Sequence, residues 1–384
     1  MRILALKPNG FVLPSIHSSM IRAFRSLGVE VLDLFIQPNS DFIPTLKETC
    51  KDRYDAIFSL DLGANHDFIL NLKDLQLSIR IPWIIWFVDD PDGYKFPEAC
   101  EPTLTLPFCW DGEIVKRNFS SNGIIVKHLP LATDPSIFYR EQEDANLQYP
   151  GGVFVGNTRH PNELLDAITR TTPELPGEAE ALWEIYRGDF RQPLQDLAWI
   201  GLGRKISRPL EAIKIDPFCR LWVKACVYQL GIRKRKEVVS RVLESGGAVF
   251  GDEGWRDILA NGLYRGWVKY GDDLRKTYNH SSFVLDVRQP QSRTGLSQRV
   301  FDASACGIPV ITEWSPEIEY LFDPEEELLS FRHPEEAREM KERCLQDPDK
   351  ARKMGEKARK RVLARHTYRH RAKQILQALH QFRG

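Results

Sequence analysis

At 384 residues the chain exceeds one ordinary hydrophobic core, so length alone argues for two domains of about 150–200 residues. A hydrophobic fraction of 42% with 28% charged residues is globular composition, and 53 basic against 53 acidic side chains give zero net charge, which argues against a general nucleic-acid or anionic-membrane binder. The 7 cysteines are odd in number, scattered and without a C-x-x-C pair, so they read as reduced structural thiols of a cytoplasmic protein and not as a zinc site.

The amino terminus, MRILALKPNG, lacks the long apolar core of a signal peptide and reads as a first β-strand over Ile3–Leu6. Further apolar runs follow at Val29–Phe35, Ala56–Leu60, Trp83–Val88, Leu104–Phe108 and Ile124–Lys127. Helical patterns fall between them at about 15–27, 41–50, 65–77 and 111–121. Spacings of 20 to 27 residues between strands leave room for crossover helices, which parallel strands require. The expectation for 1–130 is a Rossmann-like, doubly wound α/β lobe. The stretch 129–150 carries three prolines and little periodicity, which places a linker at 131–150.

A second α/β lobe, 151–365, opens with a strand at Val153–Gly156 and the turn GNTRHPN. Residues 161–245 then break the alternation: Pro173, Pro176, Pro193, Pro209 and Pro217 interrupt helical patterns at about 178–187, 193–201 and 218–230. This reads as a helical insertion, packed on the second lobe or projecting toward a substrate. Alternation resumes at Ala248–Phe250. The tail, 333–383, is helical; its basic cluster Arg359, Lys360, Arg361, Arg365 is balanced by Glu335, Glu336, Glu339 and Glu342 and reads as a solvated face. No run of about 18 apolar residues exists, so no membrane span is expected.

The most informative stretch is Thr294–Phe322, TGLSQRVFDASACGIPVITEWSPEIEYLF. It follows an apolar run, Ser282–Val287, and contains a helix cut by Gly307 and a second strand at Ile308–Thr312. A loop with Gly295 that opens into a helix presents free backbone N–H groups, which suit a phosphate. Gln298 and Asp302 are four apart and share one helix face, where a carboxylate is placed to accept from ribose hydroxyls. On these residues alone the expected ligand is a nucleotide, or a nucleotide sugar.

The string QRVFDASACGIPVITE with the acidic segment ending EYLF resembles the donor-binding signature of group 1 glycosyltransferases of the two-domain GT-B fold. It is similar to the branch related to the spore maturation protein CgeB, with supporting fragments WFVDDPD at 86–92, HLPLATDPSIF at 128–138, FVGN at 154–157 and HTYRHRAKQIL at 366–376. The resemblance implies two Rossmann-like lobes, an active site in the cleft between them, and a final helix, 366–384, that returns to brace the first lobe. Many group 1 enzymes carry two glutamates eight positions apart, the first on the transferred sugar and the second on the ribose. Counting back from Asp302 the first position is Thr294, so the sugar-binding carboxylate is missing from that place.

Transfer without a metal needs cations or helix N-termini to offset charge on the leaving diphosphate. The candidates are Asn157 and Arg159 in the opening turn, Arg288 and Arg293 around the loop after the 282–287 strand, Gly295, and Gln298 and Arg299 in the signature helix. For Arg299 a salt bridge to Asp302 or Glu313 is the plainer reading. Trp267, in GWVKY, either walls the base or belongs to the core. Acceptor chemistry is expected in the first lobe, at strand carboxyl ends. His17 is a candidate general base there, with Asp89 and Asp90 as acceptor-side carboxylates. Asp90-x-Asp92 superficially resembles a metal-binding DXD, but Gly93 places it in a turn.

The sequence thus predicts a cytoplasmic hexosyltransferase-like glycosyltransferase with no metal and no cofactor beyond its donor, a UDP or dTDP sugar. The acceptor, a glycan, protein or small molecule, is unassigned, and no nucleic-acid partner is expected. Two alternatives stand beside it: a nucleotide-sugar epimerase on the same fold, which needs no acceptor, and a non-catalytic sugar-nucleotide-binding or coat-assembly protein.

Overall fold

Runs such as WIIWF at Trp83–Phe87 and AIFSL at Ala56–Leu60 are buried along their whole length, the pattern of parallel strands covered by helices on both faces. The computed structural model describes every residue except 36–41, 62–70, 92–95, 97, 119–123, 142–146, 159–162, 173, 207–213, 215, 260–261 and 384. The chain divides into two units, Met1–Pro135 with Leu363–Gly384, and Ser136–Val362.

The first unit contains β1 (Arg2–Lys7), α1 (Leu13–Ser26), β2 (Glu30–Phe35), α2 (Phe42–Thr49), β3 (Ala56–Leu60), α3 (Leu72–Ile79), β4 (Trp83–Phe87), β5 (Thr105–Cys109), α4 (Gly112–Asn118) and β6 (Lys127–His128). The six strands form one parallel sheet in the order β2-β1-β3-β4-β5-β6.

The second unit follows with β7 (Val153–Val155), α5 (Glu163–Thr171), α6 (Leu175–Tyr186), α7 (Leu194–Ile206), α8 (Pro217–Leu243) and β8 (Ala248–Phe250). Next come α9 (Asp272–Asn279), β9 (Val284–Asp286), α10 (Gln298–Ala305), β10 (Val310–Glu313), α11 (Ile318–Leu321), β11 (Leu329–Phe331), α12 (Pro334–Gln346) and α13 (Pro348–Arg365), whose residues from Leu363 on are counted with the first unit. The five strands form a second parallel sheet, β11-β10-β9-β7-β8. The last helix, α14 (Tyr368–Phe382), belongs to the first unit and packs on α1.

Arg371 latches that last helix within the first unit. Its guanidinium, 3% exposed, donates to the Pro130 and Leu131 carbonyls at 2.6 and 2.9 Å, and the Tyr368 ring meets Trp86 edge-on. The sequence placed a linker at 131–150; residues up to Pro135 fall in the first unit and those from Ser136 in the second.

The helices of 161–245 pack on the second sheet through one apolar core. Trp183, Tyr186, Phe190, Leu197, Trp222, Leu230, Val238 and Val242 meet Phe154, Val249 and Leu285 from the strands. The sequence patterns at 178–187, 193–201 and 218–230 are α6, α7 and α8, and α8 is far longer than its pattern, running to Leu243. Lys234 and Arg235 hide the apolar period there, because both are buried on the inner face. At Gly307, φ is +74°, the left-handed turn that ends α10 ahead of β10. Tail cations are paired, Arg343 with Glu325 and Arg352 with Glu356 toward the surface and Arg361 with the buried Glu327. Among the described residues no helix is long and apolar enough to cross a membrane.

Candidate functional site

In parallel sheets the loops leaving the carboxyl ends of the strands form the natural ligand-binding edge. In the second sheet that edge is built on two buried carboxylates, each the last residue of its strand: Asp286 on β9 and Glu313 on β10. Glu313 takes Lys234 Nζ at 2.8 Å and Arg288 Nη2 at 2.8 Å, and Arg288 also donates to the Arg293 and Trp314 carbonyls. Burial pushes the Glu313 carboxyl up, but Arg288 and Lys234 outweigh it and hold it below its ordinary range. Asp286 accepts from Ser297 Oγ at 2.6 Å, Arg299 Nη1 at 2.8 Å and Thr312 Oγ1 at 2.8 Å. Arg299 Nε also reaches the Val155 carbonyl at 2.9 Å, so one side chain joins the ends of β7 and β9.

These contacts fix the loop 288–297 and the start of α10. The insertion holds the same loop from its other side. Gln195 on α7 donates to the Pro290 carbonyl at 2.8 Å, and Arg293 pairs with Asp196 at 3.3 Å. A Cβ on Gly231 of α8 would stand 2.2 Å from Pro290 Cγ, so only glycine admits this close approach. The Gly295 carbonyl accepts from Ser292 Oγ at 2.8 Å, which shapes the turn into the helix.

At the start of α10, Asp302 is 1% exposed and accepts from Gln298 Nε2 at 3.0 Å and Tyr270 Oη at 2.7 Å. The expectation that Gln298 and Asp302 share a face holds, and Tyr270 joins them from a neighbouring segment. That segment is tied to β8 by Arg265 N–H to Val249 O at 2.9 Å and Gly251 N–H to Gly266 O at 3.0 Å. Beside Tyr270's segment Trp267 is 57% exposed, so it is not a core residue. Thr294, eight positions before Asp302, donates its hydroxyl to buried Glu317 at 2.9 Å.

Several expected roles change on the geometry. Arg288 is an interior ion-pair member rather than a cation facing a ligand, because Glu313 and two carbonyls surround its guanidinium. Arg299 pairs with Asp286, and neither Asp302 nor Glu313 is its partner. Asn157 contributes its carbonyl, which accepts from Arg235 at 2.7 Å. Arg159 and Asp92 lie outside the described residues. Asp286 and the buried Lys234 and Arg235 were missed in the sequence, and Glu313 entered it only as a partner for Arg299. An acidic residue closing each of the apolar strings FVLD and PVITE was the available signal for Asp286 and Glu313.

In the first unit His17 does not reach the strand ends. It sits on the inner face of α1 with Ile16, Met20 and Phe24, 0% exposed, stacked near Phe58, with Nε2 2.9 Å from Asp33 Oδ1. Burial lowers its proton affinity. The general-base expectation is corrected, since position 17 falls in the apolar period of α1 and the ring has no surface to offer a substrate. Asp89 and Asp90 follow β4 half-buried, with Asp89 Oδ1 accepting from the Asp90 amide at 3.1 Å.

The residue that stands out beside them is Asp61, directly after β3. Its backbone is left-handed, φ +51°, and its side chain is 2% exposed. Oδ1 accepts from the Val88 and Asp89 amides at 3.0 and 3.3 Å, while Oδ2 is buried with no hydrogen-bond partner among the described residues. Burial first, then the charge of Asp89, push its carboxyl up to about 8. Among the described residues no group of His, Cys, Asp or Glu is arranged to hold a metal ion.

Asp61 gives a pH-dependent stability. Its folded-state pKa lies above the unfolded value, so the folded chain holds a proton that the unfolded chain releases, and stability falls as pH rises from about 4 to about 8. Asp61→Asn keeps the acceptor for the two amides and removes the titration. Its gain in Tm over the parent is expected to be absent near pH 4 and to reach about 4 °C or more at pH 8. Differential scanning calorimetry across that range checks this, and a gain independent of pH contradicts it.

Residues 232–377 match the model of a family described as "Glycosyl transferase-like". No curated protein matches the sequence. Among solved structures, HepE from Anabaena in complex with UDP-glucose is similar at a TM-score of 0.54 and 14% identity, over 99% of this chain and 100% of that one. An alpha-glucosyltransferase in complex with UDP is similar at 0.55 and 10% identity, over 99% of each chain. The sucrose-phosphate synthase of Thermosynechococcus elongatus is similar at 0.51 and 14%, over 99% of this chain and 98% of that one. Two parallel-sheet α/β units with this strand order and this cover of helices make the fold of the chain GT-B.

Proposed function

We propose that the chain is a cytoplasmic glycosyltransferase that takes a sugar from a uridine or deoxythymidine diphosphate donor and passes it to an acceptor hydroxyl without a metal ion. The observation that carries this reading is the edge of the second sheet, where a buried ion network holds the loop 288–297 against the start of α10. The match over 232–377 to a glycosyl transferase-like model covers that edge, and the UDP and UDP-glucose complexes of structures with the same fold support the donor class. Seven free cysteines suit a reducing compartment, and the paired charges of the tail weigh against a nucleic-acid partner. A place in the CgeB-related branch rests on the string QRVFDASACGIPVITE.

In this reading Asp302, with Gln298 and Tyr270, takes the ribose hydroxyls, and Trp267 lies against the base. The amides of Gly295–Ser297, with Arg293 and Gln298, face the diphosphate, the placement that a helix N-terminus favours. Arg288 and Arg299 act through the loop that they fix. Asp89 and Asp90 serve the acceptor side. Fixed cations and dipoles aimed at the leaving diphosphate take the part that a metal plays elsewhere.

Asp302→Ala removes a charge-assisted hydrogen bond and is expected to weaken UDP binding by about ten- to a hundredfold. Isothermal titration checks this, and unchanged affinity would remove Asp302 from the ribose site. Turnover of a UDP-sugar, followed by UDP release, is expected to continue in the presence of a chelator. Loss of turnover that Mn²⁺ or Mg²⁺ restores would make the enzyme metal-dependent and reverse that part of the reading.

A further inference from the structure

The insertion helix α8 carries two adjacent basic residues, Lys234 and Arg235, and both are buried, at 2% and 4% exposure. Their situations differ. Lys234 has a counter-ion in Glu313. Arg235 makes no ion pair among the described residues: Nη1 donates to the Asn157 carbonyl at 2.7 Å, Nη2 to the Val287 carbonyl at 3.4 Å, and Nε–H is buried without a partner.

The two carboxylates whose fields reach Arg235 are already held, Asp286 by Arg299 and Glu313 by Lys234 with Arg288. Arg299 makes matters worse for it, since both guanidinia lie over the Phe154 ring, 5.8 and 5.1 Å from its centroid. Burial first and then this like charge bring the Arg235 guanidinium down to about 10, still charged at neutral pH. A buried charge without a counter-ion is strongly unfavourable unless something else offsets it.

Its location shows what would offset it. Asn157 follows β7 and Val287 follows β9, so the guanidinium bridges two of the strand-end turns that flank the start of α10. We propose that Arg235 is a positioning residue for the diphosphate of the nucleotide donor. From beneath the strand ends it fixes the two turns by their carbonyls and supplies positive charge that the interior leaves uncompensated until a phosphate anion arrives. The insertion then serves the donor, and α8 is the element that delivers this charge. This inference rests on the donor reading given above.

Uridine and UDP separate the two. Both carry base and ribose, and only UDP carries the diphosphate. Full-length parent, Arg235→Lys and Arg235→Gln are titrated with UDP, and with uridine by competition, after circular dichroism and thermal melting establish that each variant is folded. UDP affinity is expected to fall in the order parent, Lys, Gln, with a loss of about tenfold or more for Gln, while uridine affinity stays level across the series. Should Arg235→Gln not fold, the Lys variant suffices, since it keeps the charge but not the fork that spans two carbonyls; a UDP loss with level uridine is still required of it. UDP affinity that survives substitution overturns the inference and leaves the donor reading standing. Parallel loss of UDP and uridine also overturns it, because a merely structural arginine disturbs the whole site. A parent chain that binds neither ligand brings down the donor reading and the inference together.

Discussion

The second unit depends on two carboxylates that close adjacent strands in its interior. Asp286 and Glu313 have no solvent around them, so each must be met by fixed donors. The donors come from widely separated parts of the chain: Lys234 from the insertion, Arg288 from the loop after β9, Ser297 and Arg299 from the start of α10, and Thr312 from β10. Removal of one partner would leave a buried charge exposed to no compensation, which makes this set cooperative. The loop 288–297 has its shape because these pairs leave it little alternative.

That constraint also explains why the insertion is packed and not projecting. Helix α8 delivers Lys234 and Arg235 to the strand ends while its apolar residues, from Trp222 to Leu243, fill the core against β7. Gly231 lets the helix close on Pro290, and α7 adds Gln195 and Asp196 to the same loop. The first unit follows a separate plan in which Asp61, in a left-handed backbone, ties the ends of β3 and β4 and keeps one carboxylate oxygen that no described residue meets. Backbone strain and a perturbed carboxyl at one position are features that cluster at functional sites.

Much of the fold was legible because burial on both faces leaves an unbroken apolar run for each central strand. Ala56–Leu60 and Ala248–Phe250 match their runs residue for residue, and β1 and β4 differ by a residue or so at their ends. β11, Leu329–Phe331, has no run in that reading, and α8 ends short in it because its inner face carries charge. At the site, local signals succeeded and long-range ones failed. Gln298 and Asp302 sharing a helix face follows from a spacing of four. That Arg299 would choose Asp286, or that Arg235 would cross to Asn157, depends on which strands become neighbours, and no local spacing carries that. His17 went wrong in the opposite direction: its chemistry suggested a base, while the apolar period of α1 already placed it inside.

The central claim is that the strand ends of the second sheet bind the nucleotide. Hydrogen–deuterium exchange of the full chain, with and without saturating UDP and read by mass spectrometry, tests it most directly. The account predicts slower exchange in 288–302 and in 264–270, with α1 and α14 unchanged. Protection confined to the first unit, or none at saturating UDP, would contradict it.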